Sequence, residues 1–235
     1  MKRFLLFLSA LFIATAAIAH TINWYVDENV YHTTTCESGD NVTPPTAPEK
    51  YGYTFQGWKE YYIPIGYLES TGPQYIDTGI RINVNTNFII KFADSPAWII
   101  GASVSLMCNA NDFGIAVERV RFGTVCTTSV SFATGIHVVQ VNKLWYSVNG
   151  IRTYWNNTPE VTPNKLCLFR PCSGSGVVNK GKIYYVKIYD NDVLVRDFIP
   201  VLDKDGTPCM YDKVEHKLYY NAGTGDFIAG PIIGE

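Results

Sequence analysis

Charge is scarce in this chain and evenly split. Only 17% of its 235 residues are Asp, Glu, Lys or Arg, and 19 basic side chains stand against 21 acidic ones. No basic cluster of the kind that neutralises a run of phosphates occurs beyond Lys2-Arg3, and nucleic acid is not an expected partner. Histidine is sparse too. His20, His32, His137 and His216 are scattered, with no spacing that would bring two of them to one metal ion. There is no Gly-x-Ser-x-Gly turn and no cysteine in a catalytic context, which removes the usual signatures of nucleophilic catalysis. After the N-terminal segment no uncharged apolar run approaches the roughly 20 residues that a membrane-spanning helix needs. The mature chain is therefore expected to lack a transmembrane span.

What the chain does contain is aromatic residues and turn formers. Aromatics make up 14%, including 16 tyrosines, and there are 19 glycines and 12 prolines. Strands favour aromatic and β-branched residues, so this composition suits an all-β extracellular domain. Residues 1–19 combine Lys2 and Arg3, an apolar run from Phe4 to Ile13, and Ala17-Ile18-Ala19 as a small-x-small cleavage signal. They read as a signal peptide, which places the mature protein in the secreted or cell-surface compartment.

Residues 20–60 read as a separate module. Ile22, Trp24 and Val26 alternate, Asp27-Glu28-Asn29 turns the chain, and Val30 to Thr35 returns as the second arm of a hairpin. A passage with Pro44, Pro45 and Pro48 follows, and Tyr51 to Trp58 is expected to close the module as a strand.

Residues 61–235 show period-two alternation over many short runs. Candidate strands are Thr86–Phe92, Ala97–Ile100, Phe113–Arg119 pairing with Val120–Val125, Ile136–Val141, Leu144–Val148, Ile151–Trp155 and Lys165–Phe169. Asn149-Gly150 is the strongest hairpin signal. The stretch from Lys182 to Gly230 forms a meander: Ile183, Tyr185, Lys187 and Tyr189 are expected on one face, and Tyr184, Val186 and Ile188 on the other. Turns fall at Asp190-Asn191-Asp192, at Asp203 to Gly206 and at Glu215-His216-Lys217. About a dozen short strands with no helical period predict a two-sheet sandwich with Greek-key or jelly-roll connections. Its two terminal segments, Tyr67–Ile80 and Leu218–Ile228, are expected to pair, because an unpaired edge invites aggregation.

The sequence GKIYYVKIYDNDVLVRDFIPVLDKDGTPCMYDKVEHKLYYNAGTGDFIAG, together with Tyr67 to Gly72 and Gln74 to Gly79, closely resembles a laminin-G-like, concanavalin A-like domain of bacterial surface and phage-associated proteins. The resemblance implies a jelly-roll sandwich and names no activity. The pattern Pro45-x-x-Pro48-x-x-x-Gly52-Tyr53-x-Phe55-x-Gly57-Trp58 is similar to the Listeria–Bacteroides repeat, also called the internalin B-repeat. That family implies a small β-grasp-like module ahead of the sandwich. A single copy points to a spacer or cap.

Glycoside hydrolases share the concanavalin A-like fold, and their chemistry needs two carboxyls flanking the scissile bond. No Glu-x-Asp-x-x-Glu pattern is present; Asp190, Asp192, Asp203 and Asp205 fall in turns, and Asp197, which follows Arg196, reads as a structural ion-pair member or a strand-end hydrogen-bond acceptor. No catalytic residue is assigned. Asp203-Lys204-Asp205-Gly206 looks like the start of a calcium loop but lacks the later ligands, so a plain Asp-Gly turn is the better reading and neither a cofactor nor a metal ligand is assigned.

Trp98, Tyr154 and Trp155 are the candidate ligand-binding rings, since aromatic faces stack on sugars, with Trp155 expected to be exposed at a strand end before Asn156-Asn157. All six cysteines follow the signal and would meet an oxidising compartment. Cys108 and Cys126 fall at the same open end of the expected hairpin, and Cys167 and Cys172 flank one loop, while Cys36 and Cys209 stay open between pairing and buried thiols. The expected function is binding or adhesion toward a glycan or surface-protein ligand. The alternatives are a glycoside hydrolase and a structural component of a surface or phage-like assembly.

Overall fold

The computed structural model describes residues 19–26, 29–37, 42–55, 57–58, 62–95, 98–102, 112–116, 118–127, 130–171 and 180–233. Among them there is no helix, and the strands form antiparallel sheets. The chain divides into two compact units, Met1–Lys59 and Glu60–Glu235.

In the first unit β1 (Ala19–Val26) pairs with β2 (Asn29–Glu37) as the expected hairpin, with an irregularity between Trp24 and Tyr25. Two strands alone bury little. The unit gathers its apolar surface around Trp58 instead, whose ring lies 5.1 Å from Trp24, 5.2 Å from Phe55 and 5.7 Å from Tyr31. The Trp58 indole N–H donates to the Pro45 carbonyl at 3.1 Å and so ties the proline passage to the cluster. The strand expected from Tyr51 to Trp58 does not form among the described residues. Tyr53 N–H closes a turn onto the Lys50 carbonyl at 3.1 Å, and Gly52 and Gly57 take φ of 82° and 101°, outside the extended region of regular strands.

The second unit holds two sheets. The larger runs in the order β13 (Ile151–Tyr154), β12 (Trp145–Val148), β11 (Ile136–Val141), β6 (Thr86–Ala93), β15 (Gly181–Asp190), β16 (Val193–Leu202), β17 (Pro208–Asp212) and β18 (Lys217–Tyr219). Three short strands attach to it: β3 (Ile63–Pro64) on β16, β4 (Leu68–Ser70) on β15, and β19 (Ile228–Ala229) on β4. The smaller sheet runs β10 (Val125–Cys126), β9 (Arg119–Phe122), β8 (Phe113–Ala116), β7 (Ile100–Ala102), β14 (Lys165–Leu168) and β5 (Ile76–Arg81).

One apolar core is shared by both sheets. Phe88, Ile90 and Phe92 alternate inward from β6, Ile100, Phe113, Phe122 and Leu168 come from the smaller sheet, and Phe88 meets Phe113 edge-to-face at 5.5 Å. This is a β-sandwich. The pairing of its termini is direct: β19 adds to β4, Gly230 N–H donates to the Tyr67 carbonyl, and Gly66 N–H donates to the Pro231 carbonyl.

Three local expectations change. In β15 the register slips between Ile183 and Tyr185, so Ile183 shares the core with Val186 and Ile188 rather than facing away from them. One extra residue at a bulge shifts the alternation by half a period. The segment 113–125 makes two turns instead of one hairpin, because Glu118 (φ 61°) and Gly123 (φ 59°) each reverse the chain. The apolar segment at 97–100 enters the sheet only at Ile100, where β7 begins; Ala97 lies outside the described residues.

Candidate functional site

Antiparallel order brings a set of turns to one end of the larger sheet. Thr86 opposes Asp190, Phe88 opposes Val141, Val141 opposes Tyr146, and Trp145 opposes Tyr154. The turn before β6 (Asn83 to Asn85), the β11–β12 turn (Asn142 to Leu144), the segment after β13 (Trp155 to Asn157) and the β15–β16 turn (Asn191-Asp192) therefore all emerge side by side. Each is rich in Asn or Asp, residues that accept left-handed angles; Asn191 and Asp192 take φ of 49° and 62°.

Side chains lock these turns to one another. Asn142 shapes the β11–β12 turn by accepting the Leu144 and Trp145 N–H groups on its Oδ1 at 2.8 and 2.9 Å. Its backbone carbonyl accepts the Trp155 indole N–H at 2.8 Å. Lys143 Nζ donates to Asn85 Oδ1, Asn83 Nδ2 to Asp190 Oδ1 and Asn87 Nδ2 to Asp192 Oδ1, each at 2.9 Å. The loop end is pre-organised by its own amides.

Three adjoining depressions lie along this end. The first, about 330 Å³, opens between β10 and β13, with Thr124, Cys126, Tyr146, Tyr154 and Trp155 among its lining. The second, about 730 Å³, shares Trp155, Asn156 and Asn157 with it and extends to Lys143 and Leu144. The third, about 310 Å³, shares Lys143 and Leu144 and ends at Asn191 and Asp192. Among the described residues lining them, Asp192 is the one carboxylate.

Two of the candidate rings meet here. Tyr154 is 65% exposed on the edge strand. Trp155 is half-buried rather than freely exposed, with its ring against Tyr146 at 4.7 Å, and it lines the first two depressions. Trp98 does not join them. It is 1% exposed, placed over Gly101 and 5.7 Å from the Arg121 guanidinium, so it offers no stacking face to a ligand. The Arg121 guanidinium in turn meets Asp112 at 3.1 Å in a buried ion pair.

Cys126 and Cys167 are both disulfide-bonded. They are not bonded to each other, since β10 and β14 stand four strand spacings apart, about 19 Å, against the roughly 7 Å limit between bridged Cα atoms. Cys108 and Cys172 lie outside the described residues. Cys36 and Cys209 are in no disulfide.

The Asp203 turn spends its carboxylate on the protein. One oxygen accepts the Asp205 and Thr207 N–H groups at 2.9 and 2.8 Å, and the other accepts the Tyr220 hydroxyl at 3.1 Å. No group of three potential metal-ligating side chains occurs among the described residues.

A second polar cluster stands apart from the depressions. Arg196 meets Glu215 at 2.6 Å and the buried Asp212 at 3.6 Å, and donates to the Thr78 carbonyl at 3.1 Å. The Tyr219 hydroxyl donates to Glu215 at 2.5 Å. That bond and the Arg196 charge hold the Glu215 carboxyl below its ordinary value, while burial and Glu215 push the Tyr219 phenol up. These groups tie β16, β17 and β18 to β5.

The amides of the loop end were readable in the sequence only as turn formers, because nothing in their spacing says that four separate turns converge. No protein-family model, no curated protein and no solved structure matches this chain.

Proposed function

We propose that the chain is an exported bacterial surface protein of binding or adhesion type, in which a laminin-G-like jelly-roll sandwich preceded by one internalin-type repeat takes a glycan across its loop end. The observation that carries this is the set of three adjoining depressions, lined by amide side chains and flanked by Tyr154 and Trp155. Glycans present hydroxyls that need fixed donors and acceptors and flat C–H faces that pack on aromatic rings, and both are held here on a rigid frame. The signal-like N-terminus and the two sequence resemblances support the surface assignment. Among the described residues no helix is long and apolar enough to cross a membrane.

Binding is favoured over hydrolysis by the lining of the site. Glycoside hydrolysis works with a pair of carboxyls across the scissile bond, and among the described lining residues Asp192 is the one carboxylate. A glycan array probed with the intact protein tests the proposal. Specific retention of some glycans, weakened by Tyr154→Ala, is expected, and an array on which nothing binds would sink it.

A further inference from the structure

The length and direction of the site say more about the ligand. Resting on the glycan reading above, we infer that the loop end takes an internal stretch of an uncharged polysaccharide, lying across the ends of the strands, rather than a single terminal sugar.

The depressions are not separate pockets. Trp155, Asn156 and Asn157 belong to both the first and the second, and Lys143 and Leu144 to both the second and the third. From the segment after β13 to the turn after β15 the site crosses β12, β11 and β6, which are consecutive neighbours in the sheet. That is four strand spacings of about 4.8 Å, or about 19 Å, room for about four sugar rings if each takes one spacing. Because the strands run the other way, the chain of sugars lies perpendicular to them, and each ring meets a different turn.

Charge fixes the second half of the inference. Among the described lining residues the charged side chains are Lys143 and Asp192, engaged with the neutral amides of Asn85 and Asn87, and Asp190 of the adjoining turn accepts from Asn83. None is arranged as a clamp for a carboxylate or sulfate, which calls for convergent Arg or Lys. The exposed side chains Asn156, Asn157 and Tyr154 are uncharged. An acidic polymer would have to give up its hydration without gaining a cation for each unit.

The test uses the intact protein in two arms. Affinity electrophoresis compares neutral polymers (β-glucan, mannan, xylan) with anionic ones (polygalacturonate, a sulfated galactan), and calorimetry follows the length series of whichever neutral oligosaccharide binds. The expected result is retention by a neutral polymer, affinity that rises with each added unit to about four and then levels, and about a fivefold loss on Tyr154→Ala. Tyr154 is exposed, so that variant should fold; Asn157→Ala serves as a second exposed variant with a loss in the same direction. A monosaccharide that binds as tightly as the oligomer, or a preference for the anionic polymers, overturns this inference and leaves the glycan reading standing. Binding to none of the polymers, oligomers or arrayed glycans overturns both.

Discussion

Cutting the chain after Lys217 should leave the sandwich unable to fold. The lost arm carries Leu218 and Phe227, 7% and 5% exposed, with the Phe227 ring tilted against the buried Phe169 at 5.1 Å, and the partly buried Tyr219 at 5.0 Å from Phe198. Burying side chains of this size is worth about 1.5–3 kcal/mol each, so the three together contribute roughly 5 kcal/mol. The arm also closes the domain by hydrogen bonding. Ala222 N–H donates to the Tyr75 carbonyl at 2.9 Å, Gly230 N–H to Tyr67 at 2.8 Å, and Ile233 N–H to Pro64 at 3.1 Å, while the Asp226 carbonyl accepts Gln74 Nε2 at 2.8 Å. At about 1 kcal/mol apiece these bring the total to roughly 9 kcal/mol, within the 5–15 kcal/mol that holds a whole domain. The truncated chain should be insoluble on expression. A milder perturbation grades the effect: Phe227→Ala should cost about 3–5 kcal/mol, lowering the melting temperature by about 6–20 °C in a soluble protein. Circular dichroism melts of the two proteins beside the parent decide it. A soluble truncation with the parent melting temperature would show that the arm is peripheral and that the arithmetic above is misplaced.

Three further outcomes follow from particular residues. Gly114→Ala should destabilise by about 3 kcal/mol or more in urea denaturation, since Gly114 has φ of 123° and an added Cβ would sit 2.1 Å from the Ile100 carbonyl oxygen. Thiol labelling of the folded protein should modify Cys36 and spare Cys209, which is fully buried, until denaturant is added; rapid native labelling of Cys209 would contradict its placement. Burial by itself would raise the Asp203 carboxyl, but hydrogen bonds from Thr207, Asp205 and Tyr220 outweigh it and hold the carboxyl below its ordinary value. The stabilisation is thus present above the unfolded pKa of about 3.9 and is lost as pH falls through the lower folded value. Denaturation at pH 7 and pH 3 should show a smaller acid loss in Asp203→Asn than in the parent, and an equal loss would refute the assignment.

The sequence by itself determined the strands, their main turns and which residues alternate inward along β6, because a period of two and Asn-Gly or Asp-rich punctuation are local signals. It also placed the two termini of the sandwich together, as β4 and β19 show. Signals of that kind fail where one residue shifts the phase, as at the β15 bulge, where Ile183 joins the core against its expected face. They fail again where glycine angles break an apolar run, as between Tyr51 and Trp58. The candidate site was beyond sequence alone for a different reason. Trp98 and Trp155 are alike as letters, and only packing buries the first over Gly101 and sets the second at a loop end. Asn85, Asn142, Asn157 and Asn191 stand far apart along the chain, and the antiparallel order β13-β12-β11-β6-β15 is what carries their turns to one end. Strand order is settled by long-range pairing across the whole domain, so the site exists only once the sheet is assembled.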